Sequence, residues 1–276
     1  MAAAGQLACL LEVSAPKPGN VSPERHFHDT RYEDFLASAV AIGPALAGAA
    51  TQPLGATIRR AVEDTLRWTR SNTNLGIVLL LAPLARAALR PEGSLREKLS
   101  QVLRETTVSD AVEVYTAIRK ARPGGLGRAT VEDVARAPTV NLREAMALAA
   151  ERDAVAREYT TDFALTFETA VPTLVEARAR GLPWTDAAVE AYLALLETNP
   201  DTHIARKLGT AEATAVSRRA REVRAAGGTQ SPAGRKAIAA LDAELRDPRN
   251  RRNPGTTADL TCAALFVVIL EGGWER

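Results

Sequence analysis

Arg31-Tyr32-Glu33-Asp34-Phe35-Leu36-Ala37-Ser38-Ala39-Val40-Ala41-Ile42-Gly43-Pro44-Ala45-Leu46-Ala47-Gly48-Ala49 is the stretch that decides the fold class. Phe35, Ala39, Ile42 and Leu46 recur at three- and four-residue spacing, the stripe of an amphipathic helix facing a core. The same period, carried by the helix formers Ala, Leu, Glu and Arg, repeats along the chain. It predicts helices over 5–13, 31–49, 54–69, 74–89, 94–103, 109–121, 131–135, 142–159, 162–180, 185–196, 201–208, 211–225, 231–245 and 257–270. No pair of alternating β-branched runs meets at a hairpin turn. The expectation is an all-α protein: a single compact domain over 1–276 with roughly 12–14 helices.

With 276 residues, 46% apolar and 25% charged, the chain has the composition of an ordinary globular protein with a sizeable core. A net charge of +2 and only 4% aromatic residues argue against nucleic acid as a partner, which calls for a clustered basic face with stacking rings. Lys occurs only at 17, 98, 120, 207 and 236, and the other basic residues are Arg. Cys9 and Cys262 sit in apolar surroundings without CxxC spacing and read as small buried hydrophobes in a reducing compartment. The N-terminus lacks the positive start of a signal peptide, and the longest apolar run, 263–270, is too short to span a bilayer. A cytoplasmic protein without membrane contact is expected.

Four polar segments interrupt the helical pattern. Asn253-Pro254-Gly255-Thr256-Thr257-Ala258-Asp259-Leu260 opens an apolar helix; Gly255 allows close backbone approach, and Thr256 or Thr257 can cap. A helix start with unpaired N–H groups suits phosphate. Lys17-Pro18-Gly19-Asn20 is a rigid turn inside seventeen residues, Ser14 to Thr30, without clear helix. Asn72-Thr73-Asn74 precedes another apolar helix; capping accounts for part of it, and its amides could also orient sugar hydroxyls or a base edge. Asn199-Pro200-Asp201-Thr202-His203 starts a short helix on which His203 and Lys207 share a face beside Arg206. Asp201 could serve the helix dipole or bind Mg²⁺, and Asp110 reads as a first-turn acid of its own helix. With three histidines (26, 28, 203) and no HExxH or Cys/His cluster, zinc is not expected. GxSxG, GxxxxGK[ST] and a GxGxxG between strand and helix are all lacking. The chain has no Asp-Asp pair, which argues against the aspartate-rich Mg²⁺ sites of helical prenyl synthases.

Taken in order, Pro16-Lys17-Pro18-Gly19-Asn20-Val21, Asn72-Thr73-Asn74-Leu75-Gly76, Pro123-Gly124-Gly125-Leu126-Gly127, Asp201-Thr202-His203 and the segment 253–260 resemble the triphosphoribosyl-dephospho-CoA synthase family. The resemblance covers roughly residues 7 to 270. It implies a transferase in which the ribose 2′-hydroxyl of 3′-dephospho-CoA attacks the anomeric carbon of ATP and adenine leaves. It also implies Mg²⁺ with ATP as substrate, and small-molecule nucleotides as partners; a homodimer is compatible with it. In this frame Asp201, Asp259 and His203 are the candidate catalytic residues. Asp201 and Asp259 are the candidate Mg²⁺ ligands. Lys17, Gly19, Asn20, Asn72, Thr73, Asn74, Arg206, Lys207, Gly255, Thr256 and Thr257 are the candidates for holding substrate and phosphate.

The chain departs from the better-known members, which carry His-Lys at Asn74-Leu75, Asp-Asp-Thr-Asn at 200–203, and Gly-Ser where Thr256-Thr257 stand. It resembles a divergent branch. Three alternatives stay open at this point. One is a same-scaffold enzyme acting on another phosphorylated substrate in one-carbon or other cofactor biosynthesis. The others are a non-catalytic helical phospholigand-binding protein and an ADP-ribose hydrolase with water as nucleophile.

Overall fold

The structure, a computed structural model, describes residues 1–275, and among them every regular element is helical. Pairing of the extended kind is confined to an isolated bridge between Ser22 and Arg25. The chain divides into two compact units. One comprises Met1–Cys9 with Glu33–Ala164; the other comprises Leu10–Tyr32 with the chain from Leu165 onward.

The first unit holds the start of α1 (Ala2–Ser14), then α2 (Tyr32–Ala41), α3 (Gly43–Ala47), α4 (Leu54–Leu66), α5 (Leu75–Ala88), α6 (Leu95–Arg104), α7 (Val108–Ala121), α8 (Leu142–Ala147) and α9 (Ala154–Thr161). Helix α5 is apolar on nearly every side and is the buried axis of this unit. Pro83 inside it has no N–H, so the Leu79 carbonyl loses its helical partner. The wholly buried Tyr159 donates its hydroxyl to that carbonyl at 2.6 Å. Burial pushes the phenol far up, so it stays a donor. Helices α6, α7 and α8 each begin with a complete capping box, at Ser94, Thr107 and Asn141.

The second unit contains a π-helical turn (Leu165–Ala170), α10 (Val171–Ala179), α11 (Trp184–Thr198), α12 (Thr202–Leu208), α13 (Thr210–Ala225), α14 (Pro232–Leu245) and α15 (Gly255–Leu270). Helix α15 is the apolar core helix here, buried from Thr256 to Val268 apart from Asp259. Among the described residues no helix is long and apolar enough to cross a membrane.

Fifteen α-helices are present among the described residues, slightly above the expected range, because two expected helices are each split. The stretch 31–49 breaks where Ile42-Gly43-Pro44 restarts the chain as α3. The stretch 142–159 breaks before Asp153, whose carboxylate caps α9. The helix expected over 131–135 is absent: Glu132 has φ near 50°, and its carboxylate takes the Thr139 N–H and hydroxyl in a loop. The segment 162–180 does not begin as α-helix. Pro172 cannot donate to the carbonyl four residues back, and the preceding turn relaxes to the wider π form.

Candidate functional site

In the second unit the local turn Lys17-Pro18-Gly19-Asn20 forms as its residue types dictate. The Asn20 N–H returns to the Lys17 carbonyl at 3.1 Å, with Gly19 at φ 74°. That is the arrangement for which Pro and Gly in the two central positions are suited. A side chain at Gly19 would run into Leu245 Cβ at 2.7 Å, so the turn lies directly on the end of α14 and beside Pro254. It is tied on every side. Gly19 N–H donates to Asp242 Oδ1 at 2.8 Å, and Tyr192 donates to the Pro18 carbonyl at 2.8 Å. Arg246 donates to the Asn20 carbonyl at 2.8 Å while gripping both oxygens of Asp242. Burial, with Asp201, Glu12 and Asp242 near, holds the Tyr192 phenol well above its ordinary range, which keeps it a donor.

Lys17 points inward from this turn. Its ammonium is 2.9 Å from Glu12 Oε1 and 3.2 Å from the Ala15 carbonyl, and it also donates to the Glu12 carbonyl. An ammonium has three protons, and all three have partners inside the protein. In this arrangement the ammonium keeps no proton over for an outside anion.

The starts of α12 and α15 are joined by one carboxylate. Asp201 is wholly buried. Its Oδ1 accepts from the N–H groups of His203 at 2.9 Å and Ile204 at 3.0 Å, capping α12. Its Oδ2 accepts from the Thr257 N–H at 2.8 Å and the Thr257 hydroxyl at 2.7 Å, at the third residue of α15. Pro254 offers α15 no side-chain cap, so Asp201 supplies one from 56 residues away. The Thr202 and Thr256 hydroxyls meet at 3.1 Å across the same junction. Burial raises the Asp201 carboxyl, and the four donors oppose that shift. The anion at the positive end of α15 is thus the protein's own.

Beside this junction stand His203, Arg206 and Lys207. Burial first, then the charges of Lys207 and Arg206, hold the His203 imidazole down at about 3, so it is neutral at physiological pH. Burial and Arg206 also lower the half-buried Lys207. Gly255 lies against the His203 ring, since a Cβ there would overlap Nδ1. Asp259, half-buried, follows one turn later on α15. This junction therefore gathers Asp201, His203, Gly255, Thr256 and Thr257, with Arg206, Lys207 and Asp259 on the same two helices.

Asn72, Thr73 and Asn74 belong to the other unit. Asn72 Oδ1 accepts from the Leu75 N–H, the first of α5, at 3.1 Å, while the N-cap residue Asn74 makes no side-chain cap bond. Thr73 meets the Ser38 hydroxyl at 2.6 Å, and Asn74 Nδ2 donates to Thr65 at 3.0 Å. Asn72 remains exposed, whereas its two neighbours are buried.

The profile of the CitG family, described as ATP:dephospho-CoA triphosphoribosyl transferase, matches residues 1–276. The chain belongs to this family. A family relative, the 2-(5''-triphosphoribosyl)-3'-dephosphocoenzyme-A synthase of Klebsiella pneumoniae, is 40% identical over 98 residues, covering 36% of this chain and 34% of that protein. A Pseudomonas syringae pv. syringae protein provisionally given the same name is 38% identical over 102 residues, 37% of this chain and 34% of its own. The matched stretch thus spans about a third of these curated relatives. A crystal structure from Archaeoglobus fulgidus, provisionally assigned as a triphosphoribosyl-dephospho-CoA synthase, superposes with a TM-score of 0.67 at 30% identity. It covers 86% of this chain and 99% of that one.

Several residues that organise this candidate site escape a reading of motifs. Glu12, Tyr192, Asp242 and Arg246 hold the turn at 17–20, yet each sits inside a helix or at its end without a local signature. The four-residue spacing of Asp242 and Arg246 was the available signal. No group of three or more His, Cys, Asp or Glu side chains among the described residues is placed to hold a metal by itself.

Proposed function

We propose that the chain transfers the triphosphoribosyl group of ATP to 3′-dephospho-CoA. The C1′–N9 bond of ATP breaks and a bond from C1′ to the acceptor's ribose 2′-oxygen forms. Adenine leaves, and the hydroxyl proton balances the departing base. The observation that carries this reading is the family match along the whole chain. In it, residues 1–276 work as one transferase domain. The free, buried cysteines suit a reducing cytoplasm.

Substitution at an anomeric carbon develops oxocarbenium character, which a carboxylate stabilises. Asp259, half-buried one turn into α15, takes that role in this reading, while Asp201 accepts from four protein donors. Asp201 acts as a positioning residue that sets the starts of α12 and α15. The neutral His203 imidazole is the acceptor for the 2′-hydroxyl proton; a bound polyphosphate would raise its basicity, offsetting Lys207 and Arg206. Arg206, Lys207 and Thr256 face the nucleotides in this reading.

Mg²⁺ belongs to the same reading. A single hard carboxylate together with substrate phosphates is a donor set that suits the ion, and Asp259, half-buried on α15, is the carboxylate assigned to it in this reading. When bound, the ion neutralises phosphate charge.

The test is incubation of the protein with ATP, Mg²⁺ and dephospho-CoA, reading adenine by chromatography and the adduct by mass spectrometry. Acceptor-dependent adenine with the matching adduct is the expected result. Adenine without an acceptor, accompanied by free triphosphoribose, would make the enzyme a hydrolase.

A further inference from the structure

A cavity of about 440 Å³ opens in the second unit on the side of the 17–20 turn where Lys17 lies, between the segment 14–25 and helices α11 and α14. Its size falls in the range of small-molecule sites. Pro16, Pro23, Val189, Ile238 and Ala239 give it a predominantly apolar lining, and no aromatic side chain contributes. A nucleobase would find no ring to stack on. The charged groups around it are mostly committed. Arg235 is paired with Asp186 at 2.7 Å, Arg246 with Asp242 at 2.8 Å, and Lys17 with Glu12 at 2.9 Å.

Three lining groups are not committed: Ser22, Arg25 and Glu24. Ser22 is only 3% exposed, yet its hydroxyl has no hydrogen-bond partner among the described residues. That hydroxyl keeps its donor and acceptor capacity for an occupant of the cavity. Arg25 carries an exposed guanidinium with no ion pair or hydrogen bond among the described residues, and Glu24 beside it is exposed too. The backbones of Ser22 and Arg25 exchange two hydrogen bonds, at 2.9 and 3.0 Å, so hydroxyl and guanidinium sit on one fixed two-residue turn.

We propose that this cavity holds the pantetheine arm of the dephospho-CoA acceptor. Its methylenes lie on the apolar lining, an amide meets the Ser22 hydroxyl, and the diphosphate at its end meets Arg25. An uncharged amide-bearing chain ending in an anion matches a mostly apolar lining with one waiting hydroxyl and one unpaired cation, the exposed Glu24 carboxylate beside that cation being free to turn to solvent. The occupant rests on the transfer reading above, but the site can be tested apart from it.

Two substitutions suit the test because both residues are exposed: Ala239→Trp fills the cavity, and Arg25→Ala removes the cation. The probe is 4′-phosphopantetheine, titrated calorimetrically into the intact protein. Steady-state kinetics with ATP and dephospho-CoA run alongside, and circular dichroism confirms the fold of each variant. The expected result is binding to the wild type that each variant weakens tenfold or more. The KM for dephospho-CoA should rise by a similar factor, with that for ATP within twofold. Weakened phosphopantetheine binding without any adenine release would uphold the site and remove only the transfer reading. Adenine release with an unchanged dephospho-CoA KM in both variants would overturn the site and leave the transfer reading standing. A change confined to the ATP KM, or no binding of phosphopantetheine to the wild type at millimolar concentration, would also overturn it.

Discussion

Replacing Asp201 by Ala separates a residue that builds the site from one that reacts in it. The carboxylate takes four hydrogen bonds of 2.7–3.0 Å. Its removal strands the N–H groups of Ile204 and Thr257, both buried, and leaves α12 and α15 without caps. Each stranded donor costs about 1–3 kcal/mol, and relief of the carboxylate's own desolvation offsets part of that. The expected loss is about 3–5 kcal/mol, which for a chain of this size lowers Tm by about 6–20 °C. Asp201→Asn keeps one acceptor edge and should lose roughly half as much. Differential scanning fluorimetry measures both, with the adenine-release assay run well below the lowered Tm. A variant that folds but lets α12 and α15 drift should keep measurable turnover. An Asp201→Ala protein melting within about 2 °C of the wild type, yet devoid of adenine release, would refute the clasp and put Asp201 in the chemistry.

Four further outcomes are expected. Tyr159→Phe leaves the Leu79 carbonyl above Pro83 unpaired and should destabilise by about 1–3 kcal/mol in urea unfolding. Lys17→Met should cost about 3–5 kcal/mol by isolating the buried Glu12, and Glu12→Leu in the same chain should restore most of it. If Lys17 gripped phosphate instead, the single variant would raise the ATP KM at unchanged stability. His203 gives a pH signature: unfolded, it takes a proton at its ordinary 6.5, but folded only near 3. Stability therefore falls as pH drops through that window, by about 2–3 kcal/mol between pH 6.5 and 4.5 at full effect. Melting curves of His203→Gln should slope less over the same range. Gly255→Ala pushes the His203 ring aside, so kcat should fall about tenfold or more, while a Tm change beyond a few degrees would point to wider damage.

Much of this architecture was legible because helical periodicity is local. The stripes at Phe35–Leu46 and along 257–270 survive almost unchanged, and the breaks come where Pro44, Asp153 and Pro172 impose them. The turn Lys17-Pro18-Gly19-Asn20 was legible for the same reason, since Pro and Gly fix it by themselves. What Lys17 touches was not, because Glu12 sits on the helix before it and nothing in the spacing marks that pair as buried. Asp201 was singled out for its chemistry, whereas its hydrogen bonds to Thr257 depend on a contact between helices that no pattern announces. Asp110 read as a first-turn acid of α7, which it is; its second bond, from Gly55 N–H at 2.8 Å at the start of α4, is again non-local.

These two aspartates also bear on the order in which the chain acquires structure. Asp110 reaches Gly55, and Asp201 reaches Thr257, across 55 and 56 residues. Closing a loop of that length takes about 3.5 kcal/mol of chain entropy, the logarithmic part alone. This is as much as such a clasp returns, so neither bond can seed folding. Helices α6, α7 and α8 carry their own caps and can begin alone. The starts of α4 and α15 have no side-chain cap from the residue before them and must wait until packing has brought their aspartates near. In native-state hydrogen exchange the Thr257 amide should therefore belong to a unit that closes late and opens early, ahead of the amides deeper in the same helix.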